Sequence, residues 1–165
     1  MKKVIFLDID GVLNTSRWHN QVESSKLQDE YGYLFDPVAV ANLAKIIEET
    51  GADIVISSSW KFMGLSKIRK MWKDRNLPGK VVGITPNSVS DEFLLNADLE
   101  KMDLMPIRGQ EVKEWLMYYG KNIQYVILDD MIDVLHEQKE HFVWINPEIG
   151  ISEKDVMQAV MILNN

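Results

Sequence analysis

The stretch Lys3-Val4-Ile5-Phe6-Leu7-Asp8-Ile9-Asp10-Gly11-Val12-Leu13 decides the fold. Val4 to Leu7 are four consecutive bulky apolar residues with no polar alternation. That is the pattern of a strand buried on both faces in the middle of a parallel sheet. The strand runs directly into two carboxylates and a glycine. Open α/β sheets place their ligands outside the carboxyl ends of such strands, so an acidic pair here marks a candidate site. Asp8 and Asp10 are two residues apart, and an extended backbone aims both the same way. Gly11 permits a sharp bend away from the sheet beside a ligand.

Outward from this stretch, Asn14 to Phe35 has no helical or strand period and reads as a flap beside the strand end. Asp36 as N-cap and Pro37 at the first helical position start a helix with Val40, Leu43 and Ile47 on one face, stopped by Gly51. Ala52 to Ile56 form a second strand, ending in Ser57-Ser58-Ser59-Trp60. A helix over Leu65 to Arg75 turns Ile68, Met71 and Trp72 inward, and Lys80 to Thr85 form a third strand. Residues 87–107 read as a loop with one helical turn. Arg108-Gly109 open a helix whose Val112, Trp115, Leu116 and Tyr119 keep helical spacing up to Gly120. Ile123 to Leu128 form a fourth strand, running into Asp129-Asp130-Met131-Ile132-Asp133. A helix to about Glu140, a fifth strand over Phe142 to Ile145, and a last helix opened by a Ser152/Asp155 capping box complete the chain.

Strands and helices alternate throughout, which predicts a three-layer, doubly wound, Rossmann-like α/β fold on a five-stranded parallel sheet. With 165 residues and no repeat or linker, one domain over residues 1–165 is expected, with a short flap at 14–35 and no large cap. The hydrophobic share of 46% and charged share of 26% are those of an ordinary globular protein. The absence of cysteine excludes disulfides, thiolate metal sites and a cysteine nucleophile, and fits a cytoplasmic location. Met1-Lys2-Lys3 begins like a signal peptide, but Asp8 and Asp10 interrupt the apolar run too early. No run approaches membrane-span length. A net charge of −7 disfavours a general polyanion-binding surface.

Three polar clusters end three apolar strands: Asp8/Asp10, Ser57/Ser58 and Asp129/Asp130/Asp133. Parallel strands point their carboxyl ends one way, so the clusters should meet on one sheet edge, within reach of Arg108. That many carboxylates repel one another, and a hard divalent cation such as Mg²⁺ resolves the repulsion. A phosphate then fits, with Ser57 donating to a phosphoryl oxygen and Arg108 adding positive charge. One Asp is free to attack phosphorus and another, while neutral, to protonate the leaving oxygen.

The set resembles the haloacid dehalogenase (HAD) superfamily of phosphohydrolases, in its small capless branch, which includes phosphatase domains of nucleic-acid repair proteins. Asp8-Ile9-Asp10-Gly11-Val12 looks like the first motif and Ile54-Val55-Ile56-Ser57 like the second. Arg108-Gly109 looks like the third, where lysine is commoner, and Leu128-Asp129-Asp130 with Asp133 like the fourth. The resemblance implies Asp8 as nucleophile, forming an aspartyl phosphate, and Asp10 as general acid and then base. It implies Mg²⁺ held by Asp8, the backbone carbonyl of Asp10 and Asp129, with Asp130 or Asp133 nearby; the doubled acid leaves open which is the direct ligand. Gly11 and Ser58 are expected beside the phosphate, and Ser57 or Ser58 holds it. An open site suits an exposed or macromolecular phosphate such as a nucleic-acid end. A small substrate would need the flap or a neighbouring subunit to exclude water.

Lys61, Lys67, Arg69, Lys70, Lys73 and Arg75 form a basic stretch beside Trp60 and Trp72. It reads either as a solvated helix face or as a phosphate-backbone track, with Trp18, Trp60 and Lys61 as substrate contacts. The alternatives to a hydrolase are a non-hydrolytic phosphoacceptor of the receiver type and a catalytically silent binding domain. A receiver expects its acceptor Asp after the third strand, where Ile84-Thr85-Pro86 has none.

Overall fold

A computed structural model describes residues 1–21, 23, 26–86 and 107–165. Its elements are β1 (Lys2–Leu7), α1 (Ser16–Gln21), β2 (Gln28–Asp29), β3 (Gly32–Tyr33), α2 (Pro37–Thr50), β4 (Asp53–Ile56), α3 (Leu65–Asp74), β5 (Val81–Ile84), α4 (Ile107–Tyr119), β6 (Ile123–Asp129), β7 (Phe142–Trp144) and α5 (Glu153–Asn164). Five strands pair in parallel in the order β5-β4-β1-β6-β7. Counted along the chain this is 3-2-1-4-5, the Rossmann order. A receiver has the flavodoxin-like order 2-1-3-4-5, so the strand order separates this chain from that alternative.

The period-2 rule divides β1 between two cores. Ile5 and Leu7 join Ile54, Ile56, Val126 and Leu128 beneath α2, α3 and α5. Val4 and Phe6 join Val55 and Ile127 beneath α4, where Phe6 meets Trp115 edge-on at 5.3 Å. Both faces are therefore covered, which explains why the strand carries no polar alternation. Asp8 follows with its backbone N–H still bonded to the Leu128 carbonyl at 3.0 Å. By alternation its side chain falls on the α4 side of the sheet.

The expected caps are present. The Asp36 carboxylate accepts from the Val38 N–H, Gly51 ends α2 at φ 67°, and Ser152 and Asp155 exchange the capping-box bonds. Two expectations are corrected. The segment expected to be an irregular flap contains the short helix α1 and a two-stranded antiparallel ribbon, β2–β3. The helix is six residues long and the strands two each, too short to print a period on the sequence. The helix expected before Glu140 is instead a 3₁₀ turn over His136–His141. Leu135 ahead of it is extended, and the Gln138 side chain accepts from the Leu135 N–H while donating to the Gly109 carbonyl. That tie to α4 fixes the segment against a neighbouring helix in place of an α-helical ladder. The loop expected at 87–107 lies outside the described residues up to 106; Ile107 already belongs to α4.

Candidate active site

The strand order reverses between β1 and β6, because the chain builds outward to β5 and then crosses back to add β6 on the other side of β1. Ligand crevices of open α/β sheets lie at such a switch point. Asp8 and Asp129 end these two adjacent strands, paired through Leu7 and Leu128. Both are buried, with 2% and 3% of their surface exposed. Arg108, in the first turn of α4, reaches between them. Its Nη1 lies 3.0 Å from Asp8 Oδ1 and donates to Asp129 Oδ2 at 2.6 Å. The same nitrogen donates to the Ser57 carbonyl at 3.3 Å, tying in the end of β4. Asp129 Oδ1 accepts from the Met131 N–H, and Asp133 Oδ2 accepts from the Arg108 backbone N–H, capping α4.

One guanidinium does not neutralise this site. Asp8, Asp129 and Asp130 each offer a carboxylate oxygen within 4.8 Å of the others. Burial, then the charge of Asp129, pushes Asp8 up to about 7 against the pull of Arg108. Burial pushes Asp129 up to about 6, again opposed by Arg108. Arg108 is driven the other way: burial disfavours its charge, but the two carboxylates override that and hold it protonated. Asp8 Oδ1 is buried and, among the described residues, has the Arg108 ion pair at 3.0 Å but no well-formed hydrogen bond. A buried oxygen short of hydrogen bonds, in an anionic cluster of hard donors, fits a divalent cation.

Gly11 has φ +77°, and a Cβ there would come within 2.6 Å of the Asp130 Cγ. The glycine therefore serves both the left-handed turn and the close approach of the Asp10–Gly11 loop to Asp130. Ser57 and Ser58 are both buried; Ser58 hydrogen-bonds toward Asp8 and also accepts from the Trp60 N–H at 3.4 Å. A cleft of about 270 Å³ beside them is lined by Ser58, Lys61, Phe62, Arg108, Glu111 and Asp133, among others.

Several side chains expected to meet substrate make internal contacts. Trp18 is half-buried, its backbone N–H held by the Thr15 hydroxyl. The Trp60 indole N–H donates to both oxygens of Asp10, at 3.1 Å each. Lys61 is 5% exposed and its Nζ lies 2.6 Å from Glu111 Oε2, with a second donation to the Pro86 carbonyl at 2.5 Å. The basic stretch is largely engaged as well. Arg69 donates to the Val81 and Val82 carbonyls, Lys70 pairs with Asp74, and Arg75 forks onto Asp29. That arrangement favours the helix-face reading of this stretch over the phosphate track.

The Lys61–Glu111 pair escaped sequence reasoning, since fifty residues separate two unremarkable charges. It pins the 3₁₀ helix Ser59–Met63, which follows β4, to the same turn of α4 that carries Arg108. Burial raises Glu111, and Lys61 counters it, so neither charge is comfortable alone. Lys61→Met should cost about 3 kcal/mol, as for other broken buried pairs, and lower the thermal midpoint by on the order of 10 °C. Adding Glu111→Leu should recover most of that loss in the same melting experiment.

This is an HAD-type hydrolase domain in strand order and in the placing of its acidic residues. Over residues 4–156 it matches the family described as the HAD domain in Swiss Army Knife RNA repair proteins, and the chain belongs to that family. No curated protein and no solved structure matches the chain. Among the described residues no helix is long and apolar enough to cross a membrane.

Proposed function

We propose that the chain is a Mg²⁺-dependent phosphomonoester hydrolase acting on an exposed phosphate at a nucleic-acid end. In this reading residues 1–165 form one HAD-like phosphatase domain with the 14–35 flap and no large cap. Buried Asp8 and Asp129 on adjacent central strands, bridged by Arg108 and flanked by Asp130, are the observation that carries it. The family description, with its RNA repair context, supports the substrate class. The cysteine-free composition fits a cytoplasmic enzyme.

Asp8 is the nucleophile. A carboxylate oxygen of Asp8 forms a bond to phosphorus as the ester oxygen leaves with its electron pair, taking a proton from Asp10. Asp10, now a carboxylate, removes a proton from water; the water oxygen attacks the aspartyl phosphate, and Asp8 is regenerated as inorganic phosphate departs. Arg108 binds equatorial phosphoryl oxygens, and Ser57 or Ser58 donates to another. Asp8, Asp129 and the Asp10 carbonyl, with Asp130 or Asp133 beside them, would hold Mg²⁺, whose charge offsets that of substrate and carboxylates.

The test is a phosphate-release panel with and without Mg²⁺: 4-nitrophenyl phosphate, nucleotides, sugar phosphates, phosphopeptides, and RNA and DNA oligonucleotides phosphorylated at the 3′ or 5′ end. Release is expected from oligonucleotide ends, with kcat/KM at least about tenfold above that for sugar phosphates, a margin of about 1.4 kcal/mol in transition-state binding. No release from any phosphate would reject the hydrolase reading.

A further inference from the structure

Resting on the hydrolase reading above, we infer that Trp60 is a positioning residue for the general acid Asp10. Asp10 is exposed, beyond the end of β1, where the sheet no longer holds it. An exposed aspartate on a bend would ordinarily sample several rotamers. Here the Trp60 indole N–H donates to Oδ1 and Oδ2 at 3.1 Å each, and the Asn14 amide donates to Oδ1 at 2.9 Å. Asn14 is itself 5% exposed and joins Asp10 by a backbone bridge. Among the described residues Oδ1 thus accepts two donors, while Oδ2 has only the shared indole bond. Oδ2 is the oxygen left with capacity for a proton in transit to the leaving group.

The indole can hold a fixed direction because its own ring is wedged. Phe35 meets it edge-on at 5.5 Å, and the Arg75 guanidinium lies over it at 5.8 Å. Gly32 on the β2–β3 ribbon lies against the same ring: a Cβ there would sit 3.5 Å from the indole Cη2, ordinary van der Waals contact. Arg75 is locked in turn by its fork onto Asp29, at 2.9 and 2.6 Å, and by the Gly32 carbonyl. The ribbon, helix α3 and the 3₁₀ helix Ser59–Met63 therefore converge on one N–H aimed at one carboxylate.

Proton donation matters in proportion to how poor the leaving group is, and a positioned acid supplies roughly 10²–10⁴-fold. Trp60→Phe removes the N–H and keeps an aromatic ring against Phe35 and Arg75. The readout is kcat/KM, which reports the first step, for phosphate esters ranging from 4-nitrophenyl phosphate to alkyl phosphates. Trp60→Phe should lose about tenfold or less on the nitrophenyl ester and about 100-fold or more on alkyl esters, with the loss in kcat rather than KM. In an Asp10→Asn background the same substitution should add little, since the acid it positions is gone. Should Trp60→Phe fail to fold, incorporating 3-benzothienylalanine at position 60 deletes the N–H while preserving ring shape, and the same graded loss is expected. An equal loss on all esters, no loss, or a gain in either variant overturns the positioning role while leaving the hydrolase reading standing. A parent protein silent on every ester removes both.

Discussion

Asp8→Asn should abolish phosphate release, by on the order of 10⁴-fold or more, while leaving a folded protein that melts no lower than the parent at pH 8 without divalent cation. The loss follows from the role: an amide oxygen in place of the carboxylate cannot form the covalent phosphoryl intermediate. The unimpaired fold follows from the electrostatics. Asp8 is buried, and burial with the charge of Asp129 outweighs the help from Arg108, so its carboxyl sits near 7. Above that pH the carboxylate is a burden on the native state, and a neutral isostere relieves it. Circular dichroism melts beside a phosphate-release assay separate the two effects. Parent-level turnover in Asp8→Asn would take the nucleophile away from Asp8. Asp129→Asn should behave differently, retaining measurable turnover and requiring more Mg²⁺, because Asp8 remains in place.

The parts of this site that were legible in the sequence are those governed by strand direction. Asp8 and Asp129 lie 121 positions apart, yet each ends a run of buried apolar residues, and parallel strands must bring such ends to one edge. Asp36 before Pro37 and the Ser152/Asp155 pair were legible because capping is a local contract between neighbours. What stayed hidden depends on side chains meeting through space. No pattern links Trp60 to Asp10 or Lys61 to Glu111, each fifty residues apart. The basic stretch 61–75 left two readings open for the same reason: several of its acidic and carbonyl partners come from the β2–β3 ribbon, β5 and α4, and composition counts a paired cation like a free one. The flap itself was opaque because α1 and the β2–β3 ribbon are shorter than any period that could announce them.

Divalent cation should stabilise the protein much more at pH 8 than at pH 5, and EDTA should abolish turnover at both. Asp8 and Asp129 both have folded-state values raised from 3.8, to about 7 and about 6. Between pH 4 and 7 the unfolded chain has already released these protons while the native state still holds them. With fewer protons on the unfolded side, native stability contributed by these groups is present at low pH and falls as pH rises through 6 and 7. A cation bound among Asp8, Asp129 and Asp130 replaces those protons as the balancing charge, and it must displace them to bind at pH 5. The rise in melting temperature on adding Mg²⁺ should therefore be small at pH 5 and several degrees larger at pH 8, growing with Mg²⁺ concentration. Arg108 makes the contrast selective. Its guanidinium is permanently charged and contacts both carboxylates, so Arg108→Met should deepen the alkaline loss of stability and widen the Mg²⁺ effect. An equal Mg²⁺ effect at both pH values would mean that the cation binds away from these carboxylates, and the metal centre would have to be sought elsewhere on the protein.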